Sequence, residues 1–536
     1  MFSKWYFVMV VSALGLLGLT ACGNSSPVGA PASAAILNGQ PGGQVGSGSA
    51  VAIPKMAFPL THKGRWFTDA TGRVVIFHGI NVASKLAPYT PQFQGFTKEH
   101  AAMLAREGFS TVRVWIFWKA FEPMPGVWDD SSLAATKEFI GWLHEYGIST
   151  TLNFSQLLWG EKFGGLGFPD WAAQTDGAPN VAVGSAAAST APLLGGNLAV
   201  ANLVLTGLTN PAVHRAFDHF YANDPYPGTL GVQDEFARAW VHVANYFKNV
   251  PGIAAYDLFN EPEVGSQDPS CLNPAGCPQA DELLLTPFNK NIVKAIRTAD
   301  TTHMIWYEPQ VYTAAGTATQ VAAGTDPNLA LTFHFYPAGG NSQITTTAPA
   351  EMSLLEQTAK TNGDALLLTE FGAKDDLAEI TGIIDAADND LLGWQYWAWY
   401  STEPTGDPAT PTTQIDHPDE GIVKDPTKAP TEDNLKADKL ALLGRPYPYL
   451  VAGTPTAWHF DIPTKKFTLS YSTAPIGGGA PLSSPTVIVV PQRLYPNGHY
   501  SVIATGATIT SVAGAPAVTI EALPGVMAVN VTIAPN

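Results

Sequence analysis

From Phe58 onward, short apolar runs alternate with stretches of helical period. The apolar runs are residues 74–81, 111–116, 149–154, 253–258, 304–307, 331–334, 366–369 and 393–397. Their length and bounding turns read as strands. Residues 98–107, 133–146, 233–248 and 286–298 between them read as helices. Eight strand-then-helix units predict an α/β fold, a (β/α)8 barrel with long loops, over an open doubly wound sheet. No GxGxxG or GxxxxGK[ST] sequence follows the first strand, so nucleotide binding has no support.

The pattern changes at both ends. Residues 23–57 are rich in Gly, Ala, Ser and Pro with almost no charge, the composition of a flexible tether. Residues 62–82 then read as two short strands around the Asp69 to Gly72 turn, the second entering the core. Near Gly453 the helical period disappears. WHFDIPTKKFTLSYST, PTVIVVP, HYSVIA and AVNVTIAP alternate apolar and polar positions, as in a small antiparallel β-sandwich. The expected division is a signal over 1–21, a tether over 22–57, the barrel over 58–452 and the sandwich over 453–536. The longest insertion, 175–231, is low in charge over its first part and falls between strands 3 and 4, where a lid or a packed insertion would fit.

Composition narrows the partners. The 536 residues carry a net charge of −17, with only 14% charged positions. Nucleic acid is excluded as a partner, because neutralising phosphates needs clustered Lys and Arg. The 14 Trp suit a carbohydrate-stacking cleft and equally a large core. The N-terminus has Lys4, an apolar run over 7–19, and then Leu19-Thr20-Ala21-Cys22. This resembles a bacterial lipoprotein signal, which implies cleavage before Cys22 and acylation of its sulfur. Such a chain is exported and anchored on the envelope, at an outer membrane or the cell surface. Cys271 and Cys277 remain, in the turn-rich DPSCLNPAGCPQ. Export predicts a disulfide between them, and metal ligation lacks a second Cys pair or a spaced His.

Two strand ends carry Glu. Residues 253–259 run into Asn260-Glu261-Pro262, and residues 366–369 run into Glu370-Phe371-Gly372. These are strands 4 and 7. A buried strand that ends in Glu delivers the carboxylate to the mouth of a barrel, where catalytic groups collect. Two facing carboxylates suit glycoside hydrolysis, one protonated as acid and one ionised as nucleophile.

The stretches FHGINVASKLAPYTP, GFSTVRVWIFWKAFEPMPGVWD, FGGLGFPDWA, VHRAFDHFYAND, the run from Val232 through FNEPEVGS, LTFHFYP, LLLTEFGA and GRPYPYLVAGTP resemble glycoside hydrolase family 5, and within it the endoglycoceramidase branch. The resemblance covers residues 77–455, and a C-terminal β-domain also belongs to that branch. It implies a retaining β-glycosidase that cuts between glycan and ceramide, with Glu261 as acid/base and Glu370 as nucleophile. It implies that Asn260 binds the sugar 2-OH, that Arg113 lies under the nucleophile and keeps it ionised, and that Tyr336 bonds the nucleophile. His334 is then the histidine near the acid/base, Trp397 the sugar platform and Lys85 a sugar-binding lysine. The branch's Asp-x-His-Gln-Asp at the end of strand 3 is here Asn153-Phe154-Ser155-Gln156-Leu157. Asn153 stands where an Asp would hold a sugar hydroxyl. Asn is no anionic acceptor, so the sugar specificity departs from the pattern. The alternatives are a family 5 enzyme on another β-glucoside and a non-catalytic carbohydrate-binding lipoprotein. The expected enzyme is a monomer that needs no metal or organic cofactor, with carboxylates ~5–5.5 Å apart.

Overall fold

The computed structural model describes residues 34–38, 52–181, 205–226, 228–337, 344–404 and 414–536. Cys22 and most of the charge-poor part of the 175–231 insertion lie outside the described residues. Eight parallel strands close into a barrel: β1 His78–Val82, β2 Thr111–Ile116, β3 Ser149–Phe154, β4 Ile253–Asp257, β5 Met304–Tyr307, β6 Leu329–Phe335, β7 Ala365–Phe371 and β8 Trp394–Tyr396. Each is buried along its whole length. Helices on the outside explain this: they cover the face that the barrel interior does not. One of them, α1 (Lys98–Arg106), buries Ala101, Met103, Leu104 and Ala105.

Register decides which residues meet inside. Arg113 on β2 is level with Asn81 on β1, and Asn153 on β3 with Asp257 on β4. His334 on β6 is level with Glu370 on β7, after a register shift at Phe333 and His334.

The C-terminal residues form antiparallel sheets, as the alternating pattern predicts. One sheet has five strands and includes Thr454–Asp461, Lys466–Ser472, Tyr500–Thr505 and Ala528–Pro535. Its fifth strand is Ala34–Asn38, inside the span read as tether, which pairs with Tyr500–Thr505. The other sheet has seven strands and draws three from the start of the chain, Thr61–Lys63, Trp66–Thr68 and Val74–Val75. The single strand expected over 74–81 is therefore two. Val74–Val75 pairs with Tyr447–Val451 in this sheet, and His78–Val82 enters the barrel. Residues 52–57 are also fixed. The Ile53 N–H donates to the Tyr146 carbonyl at 2.9 Å. Gly147, at φ +83°, allows this approach, since a Cβ there would lie 1.9 Å from the Ile53 oxygen. Cys271 and Cys277 are joined by a disulfide. Among the described residues, no helix is long and apolar enough to cross a membrane.

Barrel and β-domain are clamped by charge. The helix α2 (Leu377–Asn389) presents Asp388, which accepts from Arg445 Nη1 at 3.1 Å and from Trp458 Nε1 at 3.0 Å. All three residues are buried. Asp388→Ala leaves a buried guanidinium with one fewer anion, so it should lower unfolding free energy by about 3 kcal/mol. The denaturant midpoint measures this, and an unchanged midpoint would show the clamp to be idle.

Candidate active site

The site is built around Arg113. Its side chain is fully buried, and all five N–H groups are used. Nε donates to Asp257 at 2.7 Å. Nη1 donates to Asn81 at 3.1 Å and to Glu370 Oε1 at 2.5 Å. Nη2 donates to Asn260 Oδ1 at 2.9 Å and to Glu308 Oε1 at 2.6 Å. Five partners from four barrel strands or their ends are thus set by one planar group.

Glu370 is held from two sides, since Tyr336 donates its hydroxyl to Oε2 at 2.9 Å. Glu261 is half-buried and more open than Glu370. Its backbone has φ +44°, a left-handed conformation that costs a non-glycine residue about 1–3 kcal/mol. Glu308 Oε2 accepts the Glu261 N–H at 2.8 Å, and Gln156 Nε2 donates to the Glu261 and Asn260 carbonyls at 3.1 Å each. These bonds hold the strained residue in place. His334 Nδ1 lies 2.8 Å from Glu261 Oε1 and 3.5 Å from Glu370 Oε2. One donor atom each from Glu261, His334 and Glu370 falls within 4.8 Å of the other two. Convergent donors of this kind could also hold a metal ion, although displacement at a sugar carbon needs none.

Burial competes with charge throughout. Burial, with Glu261 and Glu308 nearby, raises the Glu370 carboxyl above its ordinary value, and His334 and Arg113 offset only part of this. Arg113 acts in the expected direction, but the dry surroundings outweigh it. Burial pushes an imidazolium down, yet Glu308, Glu370 and the bond to Glu261 leave His334 well above its ordinary range. Burial lifts Asp257 to about 7, against the pull of Arg113.

The other predicted residues divide into two groups. Lys85 and Trp397 meet at the mouth: Lys85 Nζ is 4.8 Å from the Trp397 ring centre and 5.4 Å from that of Trp115. Trp397 Nε1 donates to Glu420 at 2.7 Å, which fixes the ring. Asn153 joins the Arg113 network through Asp257. It is fully buried, donates to Asp257 at 3.0 Å and accepts from the Ser155 hydroxyl. Its amide is committed to the protein, which is why an uncharged residue is stable beside Asp257. Leu157 packs instead against an apolar cluster of Trp115, Phe117, Leu166 and Trp397.

Three residues of the network escaped the sequence reading: Asn81, Asp257 and Glu308. Glu308 had a signal, because Tyr307-Glu308-Pro309 repeats the pattern of a buried strand running into Glu-Pro.

Residues 68–403 match the cellulase family, glycosyl hydrolase family 5, and residues 445–532 match the glycoside hydrolase family 5 C-terminal domain. The chain belongs to glycoside hydrolase family 5. It is 29% identical over 431 residues to the endoglycoceramidase of Cyanea nozakii, covering 75% of this chain and 79% of that protein. It is 26% identical over 484 residues to endoglycoceramidase I of Rhodococcus hoagii, covering 86% of each. The fold matches endo-glycoceramidase II from Rhodococcus sp. with a TM-score of 0.68 at 26% identity, over 88% of this chain and 99% of that one. The same enzyme in complex with ganglioside GM3 matches equally, at 25% identity.

The raised Glu370 carboxyl sets the acid side of activity. A nucleophile must be ionised, so activity is lost as pH falls through its pKa. The acid limb of kcat/KM should therefore lie above the ~4.3 of a free glutamate. A limb at or below that value would contradict the burial argument.

Proposed function

We propose that this glycosidase hydrolyses the β-linkage between a glycan and a lipid of the ceramide type, by double displacement. The observation that carries the chemistry is the Arg113-held Glu370 facing the more open Glu261, with donor atoms within 4.8 Å. An inverting pair needs about 6.5–9.5 Å to admit water, and a retaining pair about 5–5.5 Å. In the first step Glu370 attacks the anomeric carbon as Glu261 protonates the departing oxygen. The C–O bond to the lipid breaks and a glycosyl ester forms on Glu370. In the second step Glu261 takes a proton from water, the water oxygen bonds the anomeric carbon, and the carboxylate leaves. Asn260, bonded to Arg113 through Oδ1 and donating through Nδ2 to the Gln156 carbonyl at 3.5 Å, has its second amide hydrogen for the sugar 2-OH. Tyr336, its phenol pushed up by burial and by Glu370, stays a donor to the nucleophile.

The lipid reading rests on the relatives and on chemistry at the mouth. The relatives that cover most of the chain are endoglycoceramidases. Leu157, half-buried at the edge of the apolar cluster, puts an apolar side chain where the branch pattern has an Asp. The strand 3 departure at Asn153, Ser155 and Leu157 marks where the sugar preference differs from the branch. We read the enzyme as a monomer held at the envelope through an acylated Cys22, on the strength of the N-terminal sequence.

Incubation with a ganglioside, glucosylceramide and a soluble β-glucan separates the readings. Release of free ceramide with an intact glycan is expected, without reducing ends from the glucan. Preferential glucan cleavage would replace the lipid by a polysaccharide. Glu370→Ala should lower turnover of an aryl glycoside at least ~10⁴-fold, whereas full activity would remove the assigned nucleophile. Cys22→Ser should shift the enzyme from the membrane fraction to the soluble one, and unchanged membrane retention would refute the anchor.

A further inference from the structure

The chain after β8 returns to bring Glu420 to the edge of the Trp397 ring. Its Oε2 accepts from Trp397 Nε1 at 2.7 Å. Among the described residues no donor reaches Oε1, and that oxygen is not one of the sealed, unpartnered atoms. The backbone around Glu420 is held from several sides. Its carbonyl accepts from the Tyr396 hydroxyl at 3.0 Å and from the Ala398 N–H at 3.1 Å. Lys439, buried on the helix Ala437–Leu443, donates to the flanking carbonyls of Asp419 at 2.7 Å and Gly421 at 3.2 Å. Lys439 is itself paired with Asp375, just beyond β7, at 2.9 Å. A carboxylate fixed this firmly, with one oxygen spent and one open, is a preorganised acceptor.

We propose that Glu420 is a specificity-determining residue, whose Oε1 accepts one hydroxyl of the sugar stacked on Trp397. This rests on the reading of Trp397 as the sugar platform. A pyranose that lays its C–H face on an indole points its equatorial hydroxyls outward past the ring edge. Glu420 sits at the Nε1 edge of this ring, so a hydroxyl leaving on that side meets a carboxylate. The 2-OH belongs to Asn260, which leaves the 3-, 4- and 6-hydroxyls. Strand 3 makes such an acceptor necessary. Where the branch pattern has an Asp to hold a hydroxyl, Asn153 has its amide engaged by Asp257 and Ser155. The second Asp of that pattern is Leu157, whose side chain cannot accept at all. Glu420 restores one anionic acceptor, from β8 rather than β3. Lys85, with Nζ 4.8 Å from the same ring, is a donor, so an acceptor and a donor serve one platform.

Glu420→Gln tests this, because it keeps the size and an oxygen for Trp397 Nε1 but turns a donor toward the sugar. The substrates are 2,4-dinitrophenyl β-glucoside and its 3-, 4- and 6-deoxy analogues. Their aryl leaving group makes the readout independent of the lipid. On the parent glucoside kcat/KM should fall roughly 30-fold, as for one lost hydrogen bond to a charged group. On the analogue that lacks the bonded hydroxyl, variant and wild type should differ less than about threefold, because the wild type has already lost that bond. On the other two analogues the full loss should return. The comparison is between substrates on one variant, so any loss of folded enzyme cancels. Equal loss on all four substrates, or loss on none, would overturn the proposal. Trp397→Ala is run beside it. If that variant keeps the wild-type rates, the platform reading falls and this one with it. If Trp397→Ala is slow and Glu420→Gln shows no dependence on the substrate, only the role of Glu420 falls.

Discussion

A guanidinium sealed from water must have its five N–H groups met by the protein, and this demand organises the whole site. Arg113 meets it with Asn81, Asp257, Asn260, Glu308 and Glu370. A lysine could not, having one charged atom and no fixed fork. Because the partners come from β1, β4, β5 and β7, the barrel must close in one register for the bonds to form. The catalytic geometry and the closure of the barrel are one condition rather than two.

That condition has an electrostatic price. Asp257, Glu261, Glu308 and Glu370 gather around Arg113 and His334, so acids outnumber cations in a dry site. Burial lifts Glu370 and Asp257, and the surrounding acids lift His334. Asn153 on β3 adds no further charge and donates to Asp257.

Much of this was legible in the chain. Strands buried on both faces are continuous apolar runs, so all eight barrel strands stood out, and Glu261 and Glu370 were found because each follows such a run. Glu308 follows one too, yet it was missed, because the pairing of two carboxylates needed no third. Asn81 and Asp257 carry no local mark. They matter only through the register that sets them beside Arg113. Ala34–Asn38 was hidden for another reason. Five residues with little amphipathic contrast form a strand only where an edge already exists to receive them.

That edge strand has a consequence for the order in which the molecule can be made. Ala34–Asn38 bonds Tyr500–Thr505, and Val74–Val75 bonds Tyr447–Val451. Ala34–Asn38 and Val74–Val75 therefore each have a partner that is synthesised only after the whole barrel sequence. Until then Ala34–Asn38 lacks the strand it bonds, while Val74–Val75 already has Trp66–Thr68 beside it and the barrel can assemble. The β-domain is not an appendage added to a finished enzyme. It is woven from segments on both sides of the barrel, so it closes after the barrel strands exist.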